Sequence, residues 1–363
     1  MNKDFLPADE PFFISYDKRY DLQTIVDKQD GVYLGHPSTA MLSDGKTVFI
    51  VYPKSHAFGQ IVMKKSEDGG KTWSERLNVP QSYSTGLECP TIFRLEDASG
   101  KSRLILFSGR FPLRMSVSED DGKTFSELTP VGDFGGIFIS SILPFGNGRY
   151  MAFFHDEGAF IKGGKDVKNV IYQAGSGDDI RTRLYSYKSE DGGKTYSDTA
   201  SSYWKNSEND HEGDKWERIY ESYQGNVFPD KHFELYTIET NDGGLSWSEP
   251  RMICTHEKAK LCEPCAFFSP DKKEIAVFLR DNSRLYNSMV IISRDGGKTW
   301  TEPKEMCDSL TGDRHMMTYL DDGRLLVTFR CIKKARTLRT TGQRGLEAMK
   351  MRYREIAATA EFC

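Results

Sequence analysis

Ser66-Glu-Asp-Gly-Gly-Lys-Thr-Trp73 is one of five near-copies of a single phrase. The others are Ser118-Glu-Asp-Asp-Gly-Lys-Thr-Phe125, Ser189-Glu-Asp-Gly-Gly-Lys-Thr-Tyr196, Thr240-Asn-Asp-Gly-Gly-Leu-Ser-Trp247 and Ser293-Arg-Asp-Gly-Gly-Lys-Thr-Trp300. Their aspartates stand at 68, 120, 191, 242 and 295, at intervals of 52, 71, 51 and 53 residues. Recurrence at that period suits one four-stranded antiparallel sheet per repeat, set as blades around an axis. Gly70, Gly122, Gly193, Gly244 and Gly297 fall where a tight hairpin needs positive φ. The aspartate two residues earlier can accept N–H groups inside the turn. The closing aromatic can pack beneath it. These five aspartates are therefore read as a folding device without chemistry.

β-rich runs precede each phrase, such as Gln60-Ile-Val-Met-Lys-Lys65 and Met289-Val-Ile-Ile292. Blades are expected to open near Gly31, Leu87, Gly135, Leu261 and Gly312, with a third blade running from Gly135 through Arg149–His155. Residues 199–232 are polar and weakly patterned, an outer loop or a poorly matched blade. The expected organisation is an N-terminal segment at 1–30, lying outside or supplying an outer strand, a propeller at 31–330 and a basic tail at 331–363. In that tail Leu346-Glu-Ala-Met-Lys-Met-Arg-Tyr-Arg-Glu-Ile-Ala-Ala358 loses the period of two and reads as helix-like. Either the chain has a natural terminal helix, or the final blade is interrupted by a truncation or frame change, leaving an open edge.

A formal charge of −4 and a pI near 6.0 give no general attraction to nucleic acid or anionic membrane, so an anionic ligand needs a local site. No apolar run approaches the ~20 residues that span a bilayer. Met1-Asn-Lys-Asp-Phe-Leu-Pro-Ala-Asp-Glu10 lacks the basic start and apolar stretch of a leader, which points to the cytoplasm, or to the periplasm or outside if a leader has been removed. Seven cysteines, with Cys262-Glu-Pro-Cys265 lacking a second pair, read as buried thiols rather than a zinc site. The Gly-Gly pairs belong to the repeated phrase and precede no helix, so no phosphate-binding loop and no cofactor is expected.

The repeated phrase resembles the Asp-box of the sialidase (neuraminidase) superfamily, over about residues 30–330 by the spacing of the repeats. The resemblance implies an all-β fold, a six-bladed sialidase-type β-propeller; the break in pattern after residue 330 adds the helix-like tail and leaves the last blade incomplete if that tail replaces part of it. Fold alone does not set function, since similar propellers include lyases and binding modules. It also implies three arginines gripping a sugar carboxylate, a tyrosine nucleophile activated by glutamate, and an aspartate as acid and base. Glu263 in Cys-Glu-Pro and Arg280 after the next strand look like the family's glutamate and second arginine. Arg314 in Gly-Asp-Arg-His stands in the region of the third, with Arg330 as competitor. A guanidinium fork suits a carboxylate.

The chain departs from the family elsewhere. Gly35-His36-Pro37 stands where Arg-Ile-Pro is usual, and Lys54-Ser-His56-Ala-Phe-Gly59 where the acid/base aspartate is expected. The nucleophile would follow Arg314, and Tyr353 on a helix-like segment is a poor match. His36, His56, His155 and His315 all fall at blade openings or after inner strands. His56 or His36 could take over proton transfer, with Asp156 beside His155 or Asp313 beside Arg314 as orienting partners. His155, His315 and Glu88, the second blade's counterpart of Glu263, join the expected substrate-binding set. Tyr52, Phe58, Phe111, Phe160 and Tyr286 could stack on sugars or serve as blade packing. The expected activity is an exo-acting glycoside hydrolase resembling exo-α-sialidase, releasing a terminal acidic sugar from a glycan. A polysaccharide lyase acting beside a uronate and a non-catalytic glycan-binding propeller are the alternatives.

Overall fold

Each repeated phrase closes on itself through its own side chains. In the computed structural model Ser66 Oγ donates to Asp68 Oδ1 at 2.8 Å and accepts the Gly70 N–H at 2.8 Å. Asp68 accepts the N–H groups of Lys71 and Thr72 at 3.0 and 2.9 Å and the Thr72 hydroxyl at 2.7 Å. The Thr72 amide and hydroxyl hold the Asp68 carboxyl down at about 2. The same bonds recur around Asp191, Asp242 and Asp295, and in part around Asp120. Trp73, Trp247 and Trp300 each donate Nε1–H to the carbonyl of the second glycine, fixing the ring against its turn.

The structure describes residues 12–15, 18–56, 59–200, 202–205, 211–225, 232–331 and 345–351. It is all-β: six sheets, five of four strands and one of three, with helix confined to single 3-10 turns among the described residues. They fall in two compact units, residues 24–232 with 237–251, and residues 1–23, 233–236 and 252–363.

The larger unit contains the sheet Ser38–Met41, Val48–Pro53, Ile61–Ser66 and the sheet Thr91–Glu96, Ser102–Ser108, Arg114–Ser118, Thr129–Pro130, each a simple meander. Their shared core holds Phe49, Val51, Ile61, Met63, Ile92, Leu104 and Leu106. The hairpin Ile139–Gly146 with Arg149–Asp156 begins a third sheet, which continues with the strand Glu234–Thr240. Between them the chain makes a further sheet of Val167–Ala174, Arg181–Lys188, Ser202–Lys205 and Glu217–Gln224.

That insertion explains the odd interval of 71 and corrects the expected blade order. The phrase at 189 belongs to the inserted sheet, and the third sheet meets its own at 240. Of the two readings of 199–232, outer loop or poorly matched blade, it favours the blade, because Glu217–Gln224 pairs with Val167–Ala174.

The smaller unit holds the sheet Leu261–Phe268, Ile275–Asp281, Met289–Ser293, Lys304–Glu305 and the sheet Gly312–Tyr319, Leu325–Cys331, Gly345–Met351, Phe12–Ser15. Its core is Phe267, Phe278, Val290, Leu310, Val327 and Phe329 with their neighbours. Phe12–Ser15 is the expected outer strand. Gly345–Met351 is a strand and not the expected helix: its backbone groups find a ladder on both sides, which outweighs helix propensity. Tyr353 and Phe58 lie outside the described residues.

Candidate functional site

Two strands of the smaller unit break register in the same way. Cys262 pairs with Arg280 and Cys265 with Phe278, so Glu263-Pro264 bulges out; Asp313 pairs with Arg330 and Met316 with Thr328, so Arg314-His315 does the same. Glu263 and Arg314 take φ of 52° and 57°, the left-handed region that non-glycine residues avoid. Bulges of this kind re-aim a side chain, and strain there is characteristic of functional positions.

The bulges gather two carboxylates and four guanidinium groups. Glu263 Oε1 accepts Arg280 Nη1 at 2.7 Å and meets Arg314 Nε at 3.1 Å, while Oε2 accepts the main-chain N–H of Arg314 at 3.0 Å. Asp313 receives a two-pronged bond from Arg284, at 2.7 and 3.1 Å, and another from Arg330, at 3.0 and 2.5 Å. Arg280 Nε approaches Asp313 Oδ1 at 2.9 Å, an ionic contact off the hydrogen-bond direction. One guanidinium thus bridges both acids.

Burial is unequal. The two acids are covered, whereas the side chains of Arg284, Arg330 and Arg314 keep 41, 36 and 30% of their surface. Four cations over two anions leave two formal positive charges on the exposed layer, which suits a carboxylate ligand. Burial opposes ionisation of Asp313, but the bond from Arg284 and the charges of Arg280 and Arg330 outweigh it and hold the carboxyl below the ordinary aspartate value. Burial likewise works against the charge of Arg280, and Glu263 and Asp313 more than offset it.

Sequence reasoning missed Arg284. Its signal is the turn Asp281-Asn-Ser-Arg284, in which buried Asp281 accepts the N–H groups of Lys260, Ser283 and Tyr286 at 2.9 Å each. That clamp holds Arg284 at φ 63°. Asp313, expected as an orienting partner for His36 or His56, instead serves Arg284, Arg330 and Arg280.

His315 is a core residue, 2% exposed. It bonds the Leu310 carbonyl through Nε2 at 2.9 Å and stacks on Phe329, with centroids 5.2 Å apart. Burial pushes its pKa down, so the ring is a neutral packing element and cannot meet a sugar from this position.

In the larger unit His36 Nε2 and His56 Nδ1 stand 3.2 Å apart, with the Tyr33 ring 6.2 and 5.8 Å from the two imidazoles. His36 again has positive φ, 54°, as does Glu88, 56°. Glu88 accepts Arg110 Nε at 3.0 Å, and Arg110 lies over the Phe160 ring. His155 is buried edge-on to Phe138. Asp156 is fully buried and accepts the N–H groups of Ala159 and Phe160 at 2.9 Å each, which makes it a turn clamp rather than an exposed acid. Tyr52 and Phe111 are buried, Tyr52 donating to Asp27 at 2.5 Å, so neither presents a ring to a ligand. Among the described residues no group of three or more His, Cys, Asp or Glu is placed to hold a metal ion.

The BNR/Asp-box repeat family matches residues 291–302. No curated protein matches the chain in sequence. Among solved structures, a protein of unknown function from Dyadobacter fermentans superposes with a TM-score of 0.53 at 14% identity, covering 93% of this chain and 83% of that one, which shows a shared fold. A GH93 α-L-arabinofuranosidase of Fusarium graminearum, solved with arabinobiose, gives 0.39 at 14% identity over 92% and 98%. The catalytic domain of a Coprinopsis cinerea GH62 α-L-arabinofuranosidase gives 0.45 at 10% over 87% and 90%.

Proposed function

We propose that the protein is an exo-acting glycoside hydrolase of acidic sugars, resembling exo-α-sialidase, with Arg280, Arg284, Arg314 and Arg330 holding the sugar carboxylate. The observation that carries this reading is the excess of guanidinium over carboxylate at the paired bulges of Glu263 and Arg314, with the acids covered and the cations part-exposed. A rigid layer of forked donors binds a carboxylate without the cost of gathering them. In this reading Glu263 stands beside the reacting centre and sets the arginines. His36 and His56 are the groups proposed to exchange protons near neutral pH, in place of the family's acid/base aspartate. The fold behind the reading is a sialidase-type propeller with six blades; the described residues form six sheets, one of them inserted within another. The partner is a glycan, no cofactor is required, and the domain limits 31–330 belong to the same proposal.

A second reading has its own support. Both acids of the cluster are engaged by arginines, an arrangement that serves binding without bond cleavage, so a non-catalytic acidic-glycan module is the competitor. Product analysis after incubation with sialyl-lactose and uronate-terminated oligosaccharides separates the two. Released sugar that is lost in Arg280→Ala and His56→Ala supports the hydrolase; an unsaturated, ultraviolet-absorbing product indicates a lyase. Binding without product selects the module, and neither binding nor product from folded protein rejects the arginine site.

A further inference from the structure

The inserted sheet carries a face that neither the repeat nor the arginine cluster needs. One side packs inward through Ile171 and Leu184 against Leu87. On the other side the register brings Lys168 opposite Tyr187 and Tyr223, and Tyr172 opposite Arg183 and Arg218. The ring centroids of Tyr172 and Tyr185 lie 5.7 Å apart and those of Tyr185 and Tyr187 6.4 Å apart, so three rings follow one another across two strands. They are half-buried, and Tyr223 keeps 39% of its surface.

Cations sit on this aromatic layer. Lys168 Nζ lies 5.3 Å from the Tyr187 centroid and 4.7 Å from that of Tyr196, and the Arg183 guanidinium lies 3.8 Å from the Trp216 ring. Rings held in place offer flat apolar surfaces at little entropic cost, and cations braced on them add attraction for negative charge. Glu221 on the same face is neutralised by Arg218 at 2.8 Å, so Lys168 and Arg183 leave this layer positive in a chain of net charge −4.

We propose that this face is an accessory binding platform for an acidic polysaccharide chain, with Tyr172, Tyr185 and Tyr187 stacking on sugar rings and Lys168 and Arg183 pairing with uronate carboxylates. Flat rings in succession fit a polymer of rings, and the cations select a charged one. The platform stands independently of the arginine cluster and would hold polymer whatever reaction the protein performs.

Native gels cast with polygalacturonate, or with neutral xylan, test it on the full chain. The wild type is expected to be retarded by polygalacturonate more than by xylan, and less so as salt rises. Tyr185→Ala with Tyr187→Ala should weaken apparent affinity about fivefold or more. Lys168→Gln, a milder change that tests the same face should the double variant fail to fold, should flatten the salt dependence. Arg280→Ala should weaken retardation less than the tyrosine variant does, because an exo-acting arginine site meets only chain ends. Loss in Arg280→Ala with no change in Lys168→Gln and the tyrosine variant would overturn the proposal, as would equal retardation by both polymers or none at all. Failure of the hydrolase reading would appear separately, as absence of released sugar.

Discussion

Glu263 holds Arg314 twice, accepting its main-chain N–H at 3.0 Å and facing its guanidinium at 3.1 Å, so one carboxylate sets both the backbone and the side chain of its partner. Both residues have positive φ at register breaks of Leu261–Phe268 and Gly312–Tyr319, the first strands of two neighbouring sheets. The bond across the bulges therefore helps maintain the conformation that aims Arg314 outward.

Replacing Glu263 should test that coupling. Glu263→Ala leaves Arg280 and Arg314 without a counter-charge and an N–H without its acceptor, and is expected to lower the unfolding free energy by about 2–4 kcal/mol, less than for a fully buried pair because Arg314 meets solvent. Glu263→Gln keeps an acceptor and should lose less. Urea unfolding of both variants measures this; equal stability of Glu263→Ala and wild type would refute the structural half of the role.

Arg284 is the residue that the motif does not predict and the geometry does. Removing one forked donor from a carboxylate site should weaken binding of a monosaccharide acid about tenfold or more, with a smaller loss of stability because buried Asp313 keeps its bonds from Arg330 and its contact with Arg280. Calorimetric titration of Arg284→Ala with sialic acid and with a uronate provides the comparison, and unchanged affinity for both would remove Arg284 from the site.

Asp313 links stability to pH. Its folded-state pKa lies below the unfolded value, so its ionised form stabilises the fold at pH values above about 4, and that contribution is lost as pH falls through the folded value. Asp313→Asn should be less stable at pH 7 and show a shallower acid limb in a plot of unfolding free energy against pH. Limbs of identical slope would show that other carboxylates govern acid unfolding.

Two turn glycines should respond differently to the same substitution. At Gly45, φ 67°, a methyl group meets nothing within 4 Å, so Gly45→Ala costs about 1 kcal/mol of left-handed strain. At Gly122, φ 79°, it would stand 2.2 Å from the Phe49 ring of the adjoining sheet. Overpacking should then add about 1–3 kcal/mol. Equal melting temperatures for the two variants would mean that the turn does not pack on Phe49 in solution.

The recurring turn was legible in the sequence because every bond that makes it lies within a few residues: Ser66 to Gly70, Asp68 to Thr72, Trp73 to Gly70. All-β character followed from the same period, whereas the N-terminal segment was read only as lying outside or supplying an outer strand, and the pairing of Phe12–Ser15 with Gly345–Met351 fixes which. Glu263, Arg280, Arg314 and Arg330 could be singled out by resemblance and do come together. Where the fold depends on which distant strand completes a ladder, the sequence was silent. Nothing local shows that residues 157–232 interrupt the third sheet, or that 345–351 exchanges its helical pattern for two β partners. The same holds for the site. Arg284 and Asp313 are 29 residues apart and meet only because a clamped turn and a bulge face each other, and His315 lost its expected role because tertiary packing buried its ring. Short-range hydrogen bonds can be read from residue order; burial and the meeting of charges depend on long-range packing, and the tertiary structure alone decided them.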